Sequence, residues 1–289
     1  MSSDQRTTLA QQINKNNIFF AISRKVSIFA EKCAHIMRLG ISVLCILGLF
    51  CISTIFMIWY RIPLFFGDWN KQTIYVGIID TWHGPSKDTQ AHAMWIDDDC
   101  GEGVFNVNRI SNSLKIHPIY AVIPSQMSDT IISSMIQWQK QGAGIVLHGL
   151  NHEAWKEWKE EQIDEDIEKS KKVLYQKGFD TTKLLKIIVP PHGCNTQAIR
   201  SVIQKRKCKM VTGAALVNPD RNVFQLGRIF LSQDTDTSKI RRLLQKAYDN
   251  NNFVIFGTHS SNPEEFSEEK TRKVLEMAKE IGFIFDISE

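Results

Sequence analysis

The sequence predicts an α/β domain built on a parallel sheet, open or closed into a barrel, preceded by one N-terminal transmembrane helix. Three observations predict it. From residue 72 onward, short apolar runs of strand length alternate with amphipathic runs of helix length. Carboxylates and imidazoles recur directly after those apolar runs. Ahead of them lies a single long apolar segment without charge.

Residues 1–38 form a basic tail carrying Arg6, Lys15, Arg24, Lys25, Lys32 and Arg38. Within it Ile18, Ile22, Val26, Phe29, Cys33 and Ile36 recur at helical spacing, which suits an interfacial amphipathic helix, a partner-binding helix or a fraying tail alike. Residues 39–60, LGISVLCILGLFCISTIFMIWY, hold no charged residue and are bracketed by Arg38 and Arg61. As a helix they extend roughly 33 Å, enough to cross a hydrocarbon core of about 30 Å. Trp59 and Tyr60 fall at one end, where aromatic belts form. The long run, the preceding tail and the missing small-x-small site argue against a cleaved signal peptide. Only Arg61 and Lys71 follow closely, so the positive-inside rule keeps the N-terminus cytoplasmic and puts the C-terminal domain in the periplasm or outside the cell. Residues 61–71 read as a stem and 72–289 as the exported domain.

Composition narrows the class. Hydrophobic residues at 43% and charged residues at 23% are those of an ordinary globular protein. A net charge of +4, with no nucleic-acid-binding signature, argues against DNA or RNA as a partner. Of six cysteines, Cys33 lies in the tail and Cys45 and Cys51 in the apolar segment. Cys100, Cys194 and Cys208 allow at most one bridge among themselves, so this is no disulfide scaffold.

In the exported part, strands are expected at Thr73–Ile79, His92–Ile96, Ile119–Ile123, Gly144–Leu147, Leu184–Val189, Lys209–Val211, Phe253–Phe256 and Phe283–Phe285. Helices are expected at Ser128–Gln139, Glu160–Tyr175, Asn195–Lys205, Ser238–Tyr248 and Glu265–Lys279. In parallel α/β folds, functional groups gather at the carboxyl ends of strands. At those ends stand Asp97-Asp98-Asp99, Pro124-Ser125, the His148/His152 pair, Pro190-Pro191-His192-Gly193 and Gly257-Thr258-His259.

Two imidazoles and one carboxylate make a His2Asp metal site with an open position. A second carboxylate could take a proton from water, and a third histidine could protonate a leaving amine. Three adjacent aspartates repel one another, and a bound cation relieves that cost. Metal-assisted hydrolysis of an amide or ester is the chemistry such a set suits.

The order WIDDD, LHGLNHE, VPPHG, FGTHS resembles the polysaccharide deacetylase family with the NodB homology domain, over roughly residues 73–289. The resemblance implies a distorted (β/α) barrel and removal of N-acetyl groups from a glycan, with Zn2+ or another divalent metal. It makes Asp97 the general base, Asp98, His148 and His152 the metal ligands, and His259 the general acid. It puts the oxyanion at Pro190, Pro191 and His192. A slip of one residue would make Asp98 the base and Asp99 the ligand. Where the family has an arginine before the two prolines this chain has Val189, so another cation must clamp the base or the chemistry is weaker. Asp234 and Asp236 are candidates for orienting His259, or equally for capping the following helix.

Trp82 and His83, in a loop after the first expected strand, are candidates for sugar contact. Trp155 and Trp158 read as packing onto the sheet, His92 as a satisfied edge histidine, and Cys100 and Cys194 as small buried fillers. The expected protein is a membrane-anchored, metal-dependent N-deacetylase acting on an N-acetylated glycan outside the cytoplasm. The alternative is a catalytically weak relative that binds glycan in surface-polysaccharide assembly. The sequence does not identify a protein partner.

Overall fold

The computed structural model describes residues 86, 88–213 and 217–287. The tail, the apolar segment 39–60, the stem, the expected strand Thr73–Ile79 and Trp82 lie outside the described residues. Among the described residues no helix is long and apolar enough to cross a membrane.

The chain alternates as predicted: β1 (His92–Asp98), α1 (Val104–Leu114), β2 (Ile119–Val122), α2 (Asp129–Lys140), β3 (Gly144–Leu147), α3 (Glu160–Gln176), β4 (Ile187–Ile188), α4 (Gln197–Lys205), β5 (Lys209–Val211), β6 (Gln225–Leu226), β7 (Ile229–Phe230), α5 (Thr237–Asp249), β8 (Phe253–Thr258), α6 (Glu268–Ile281) and β9 (Ile284–Phe285). The strand order is β6-β5-β4-β3-β2-β1-β8-β7, with β9 also against β1, and every pairing is parallel. The two ends of this path, β6 and β7, are separated in the chain by only Gly227 and Arg228. The sheet therefore curls into an incomplete barrel whose open seam is spanned by those two residues.

Two cores follow from strand alternation. Met94, Ile96, Ile119, Ala121, Val146, Ile187, Val189, Val211, Leu226, Phe253 and Ile255 fill the inside of the barrel with no helix residue among them. Trp95, Tyr120, Val122, Ile145, Leu147, Val254 and Phe256 point outward to the helices, meeting Val107, Ile131, Ile163, Val202, Leu244 and Leu275. Inside and outside residues alternate along each strand.

Several element ends are set by caps. Ser128, Thr196 and Ser267 accept from the backbone N–H three residues on and so start α2, α4 and α6. Helix α1 was not foreseen, because its buried Val104, Val107 and Ile110 are diluted by Asn and Ser, poor helix formers. The two-residue strands β6 and β7 are too short for any periodicity. In the other direction, β1 and β8 run past their expected ends, through Asp98 and Thr258.

The loops leaving β1 and β8 touch. A Cβ at Gly103 would stand 1.9 Å from the Ser260 carbonyl oxygen, so only glycine permits this approach. Gly103→Ala should cost about 1–3 kcal/mol or more by overpacking, read as a fall of several degrees in the thermal midpoint. An unchanged midpoint would mean that the two loops do not meet this way.

Candidate functional site

The inward side chains at the carboxyl ends of the strands converge on one cleft of about 290 Å³, lined by Asp98, Asp99, His148, His152, His192, Arg228, His259 and Glu265 among others. Strand phase decides who enters it. Asp98 is in phase with inward Met94 and Ile96, His148 with Val146, and Arg228 with Leu226. Asp97 is in phase with outward Trp95, and it pairs in register with Thr258.

The candidate metal centre is Asp99, His148 and His152, whose ligand atoms all lie within 4.8 Å of one another. Asp99 Oδ1 is 3.4 Å from Nε2 of each imidazole. It is also a buried oxygen with no hydrogen-bond partner. A buried acceptor left unpaired beside two nitrogen lone pairs is costly, and a divalent cation satisfies all three at once. The residues present therefore fit a metal.

Local backbone makes that convergence possible. Asp99 adopts φ 66° and Cys100 φ 31°, a left-handed turn that breaks strand alternation and lets Asp99 follow Asp98 into the cleft. His148 Nδ1 lies 2.7 Å from the Val189 carbonyl. As the donor there, it leaves Nε2 as the lone-pair nitrogen facing Asp99. Gly149, at φ 77°, lets the chain turn between the two histidines, and a Cβ there would meet Pro191 Cγ at 2.6 Å. Asp166 of α3 braces this turn by accepting from the Leu150 N–H. Burial lowers the His152 pKa, with His148 adding to it, so the ring stays neutral as a ligand must.

Beside the ligands stands a buried ion pair. Arg228 grips Asp98 with both terminal nitrogens, each at 2.7 Å from a different carboxylate oxygen. Its guanidinium also lies over the Phe230 ring, 4.4 Å from the centroid. Burial would raise the Asp98 pKa, but Arg228 and then His148 outweigh it and hold the carboxyl far below the usual range. His259 Nε2 is 3.6 Å from Asp98, and its Nδ1 is 2.8 Å from Glu265 Oε2. Burial works against the charge on this imidazole, but Asp98 and Glu265 prevail and raise its pKa to about 9.

His192 closes one wall. It lies at φ 54° within the 3₁₀ turn Pro191–Gly193. Its ring stacks on His152 at 4.3 Å, and its Nε2 is 2.9 Å from the His152 carbonyl.

Three groups of expected residues sit differently from the arrangement that the resemblance implies. The carboxylate nearest the imidazole pair is that of Asp99, while Asp98 lies beyond it, 3.9 Å from His148. Asp97 does not line the cleft; its carboxyl is buried against Thr258 and Ser260 on the outer face of the sheet. The pair that enters is thus one residue further on than Asp97 and Asp98. The residue orienting His259 is Glu265, whereas Asp236 caps α5 through the Ser238 and Lys239 N–H groups. Asp234 is likewise not among the cleft residues. The cation that clamps a cleft carboxylate is Arg228, on Asp98, and it carried one sequence signal: a lone arginine inside the apolar run FQLGRIFL. Trp155 is fully buried in the outer core, and His92 bonds Asp286 at 3.0 Å. Cys100, Cys194 and Cys208 are free thiols, and Cys100 is buried with its Sγ–H on the Ala121 carbonyl.

Removing Arg228 leaves a buried, uncompensated carboxylate. Arg228→Met should therefore cost about 3–5 kcal/mol in denaturant unfolding, with much of it recovered when Asp98→Asn is added. No recovery in the double variant would show that Arg228 stabilises by packing alone. His259 gives a pH signature in metal-free protein. Its folded pKa of about 9 exceeds the ordinary histidine value near 6.5, so its contribution is complete below about pH 6.5. It then fades as pH rises through 9, a loss on the order of 3 kcal/mol or less. Stability of His259→Gln followed from pH 6 to 10 should lack this slope.

Comparison with known proteins places the domain. Residues 86–211 match the family model described as polysaccharide deacetylase. No curated protein sequence matches the chain. Among solved structures, the chitin deacetylase of the fungal pathogen Colletotrichum lindemuthianum is 10% identical, with a TM-score of 0.51 over 69% of this chain and 86% of that one. A family 4 carbohydrate esterase from Streptomyces lividans in complex with acetate is 13% identical, with a TM-score of 0.50 over 70% of this chain and 94% of that one. A family 4 acetyl xylan esterase from Clostridium thermocellum in complex with a cobalt ion is 13% identical, with a TM-score of 0.50 over 67% of this chain and 86% of that one. At such identities the likeness to these structures is one of fold. The family model thus matches the stretch that carries β1 to β5 and both metal-site histidines, and the fold is that of the solved family 4 carbohydrate esterases.

Proposed function

We propose that the protein is a metal-dependent hydrolase that removes N-acetyl groups from a glycan outside the cytoplasm, tethered to the membrane through residues 39–60. The observation that carries the chemistry is the unpaired buried Asp99 Oδ1 between two imidazole nitrogens, with a clamped carboxylate and a basic imidazole in the same cleft. Asp99, His148 and His152 would hold the divalent ion, with zinc the first choice for a His2Asp set. Bound there, such an ion supplies Lewis acidity and a water of lowered pKa. The anchor and its orientation rest on the uncharged run, its flanking arginines and the basic tail.

The roles of the chain's own groups follow from their charge states. Asp98 stays ionised because Arg228 neutralises it, and so is able to take the proton of the attacking water. His259, with a pKa near 9, is protonated at neutral pH. Its Nε2–H, aimed by Glu265 at the other ring nitrogen, delivers a proton to the departing amine. As water adds to the acetyl carbon, the backbone N–H of His192, the residue of the Pro190-Pro191-His192 turn that has a donor and lines the cleft, would meet the negative charge on the carbonyl oxygen. The C–N bond then breaks to acetate and a free amine on the sugar.

One observation supports the alternative of glycan binding without turnover. The same clamp that keeps Asp98 charged holds its pKa so far down that it is a weak base. Purified full-length protein in detergent decides between them. We expect about one zinc ion per chain, lost in the His148→Ala, His152→Ala double variant. We also expect acetate release from N-acetylglucosamine oligomers that falls by 10²–10⁴-fold in Asp98→Asn. Zinc retained without acetate release would favour the binding protein; no zinc at micromolar concentration would remove the mechanism.

A further inference from the structure

Asp97 is a fully buried carboxyl that the mechanism above does not use, although it adjoins residues that do. Its oxygens are saturated by one short segment. Oδ1 accepts from the Thr258 hydroxyl at 2.6 Å and the Ser260 N–H at 3.0 Å, and Oδ2 accepts from the Ser260 hydroxyl at 2.6 Å. Thr258 is fixed in turn, since the Trp95 Nε1–H donates to its hydroxyl at 2.9 Å. Thr258 and Ser260 are the two neighbours of His259. The three donors thus hold the backbone on both sides of that imidazole, from behind the sheet, while Asp98 and Glu265 meet its ring from the front.

We propose that Asp97 is a positioning residue, whose carboxyl grips residues 258–260 and thereby fixes where His259 stands over Asp98. It acts through hydrogen-bond geometry and not as a proton acceptor in the reaction. That separates it sharply from a general base, because an amide can replace a clamp but cannot replace a base. In Asp97→Asn, the amide oxygen still accepts from Thr258 and Ser260 N–H, and the amide nitrogen donates to the Ser260 hydroxyl, which is able to turn. In Asp97→Ala all three bonds are lost.

The inference rests on His259 serving the reaction as described, so the test has one arm without turnover. Full-length wild type, Asp97→Asn, Asp97→Ala and Ser260→Ala are compared in detergent, well below their thermal midpoints. The rate of diethyl pyrocarbonate modification at His259 is read by peptide mass spectrometry. We expect several-fold faster labelling of His259 in Asp97→Ala and Ser260→Ala, and a rate within about twofold of wild type in Asp97→Asn. Where zinc-loaded wild type releases acetate from N-acetylglucosamine tetramer, Asp97→Ala should lower kcat about 10–100-fold with KM within about twofold, as a misplaced group does. Asp97→Asn should retain kcat within about fivefold.

Loss of turnover in Asp97→Asn comparable to that in Asp98→Asn would overturn the proposal and make Asp97 the base. Unchanged His259 labelling in Asp97→Ala and Ser260→Ala would overturn it as well. If Asp97→Ala does not fold, Ser260→Ala and Asp97→Asn carry both arms. A wild type that releases no acetate would count against the deacetylase reading, and the labelling arm would still decide the role of Asp97.

Discussion

The buried pair between Arg228 and Asp98 is the constraint on which the rest of the site depends. Both groups are almost wholly shielded from water, at 2% and 1% side-chain exposure. Charges so placed carry a desolvation cost of several kcal/mol each, recovered only by close and well-directed pairing. The fork geometry at 2.7 Å on both oxygens meets that condition. The pair also joins the last residue of β1 to the two-residue link between β6 and β7, the ends of the curled sheet. The charge state of Asp98 is therefore tied to the position of that link, which β8 and β7 bring alongside β1.

From that pairing the other protonation states follow. A permanently negative Asp98 raises the affinity of His259 for a proton against the cost of burying it, and Glu265 adds to the effect. Asp97, one residue away but on the opposite face of the sheet, meets no cation among the described residues, and burial pushes it up to about 7 despite its hydrogen bonds from Ser260 and Thr258. Adjacent aspartates thus have pKa values driven in opposite directions by environment alone, the usual way a protein separates acid, base and structural roles. Asp99 differs again, leaving the strand through a left-handed turn so that its Oδ1 faces the two histidines.

Much of this was legible in the amino-acid order. Alternating apolar and amphipathic runs announced a parallel α/β sheet, open or closed, because the hydrophobic period is a local property of the chain; the barrel was implied only by the family resemblance. The collection of His148, His152 and His259 at one end of the sheet was legible too, since parallel strands send all their carboxyl ends the same way. Glycine at 149 marked a turn that no other residue makes without strain. Arg228 and Glu265 were missed for a common reason. Each acts across five or more residues of intervening chain on a group it does not neighbour, and nothing in local spacing records such a partner.

What the sequence by itself determined is the alternation of elements, the residue types at the strand ends, and hence the class of chemistry. What only the tertiary structure decided is which of three consecutive aspartates faces the cleft. In HAMWIDD both strand faces are apolar, so counting by twos groups Asp98 with Met94 and Ile96, and Asp97 with Trp95, without saying which group lies inside. That choice is made when the sheet curls: Met94 and Ile96 turn into the narrow interior, Trp95 goes outward to the helices, and the aspartates follow in phase. The curvature is a property of eight strands together, and no single strand encodes it.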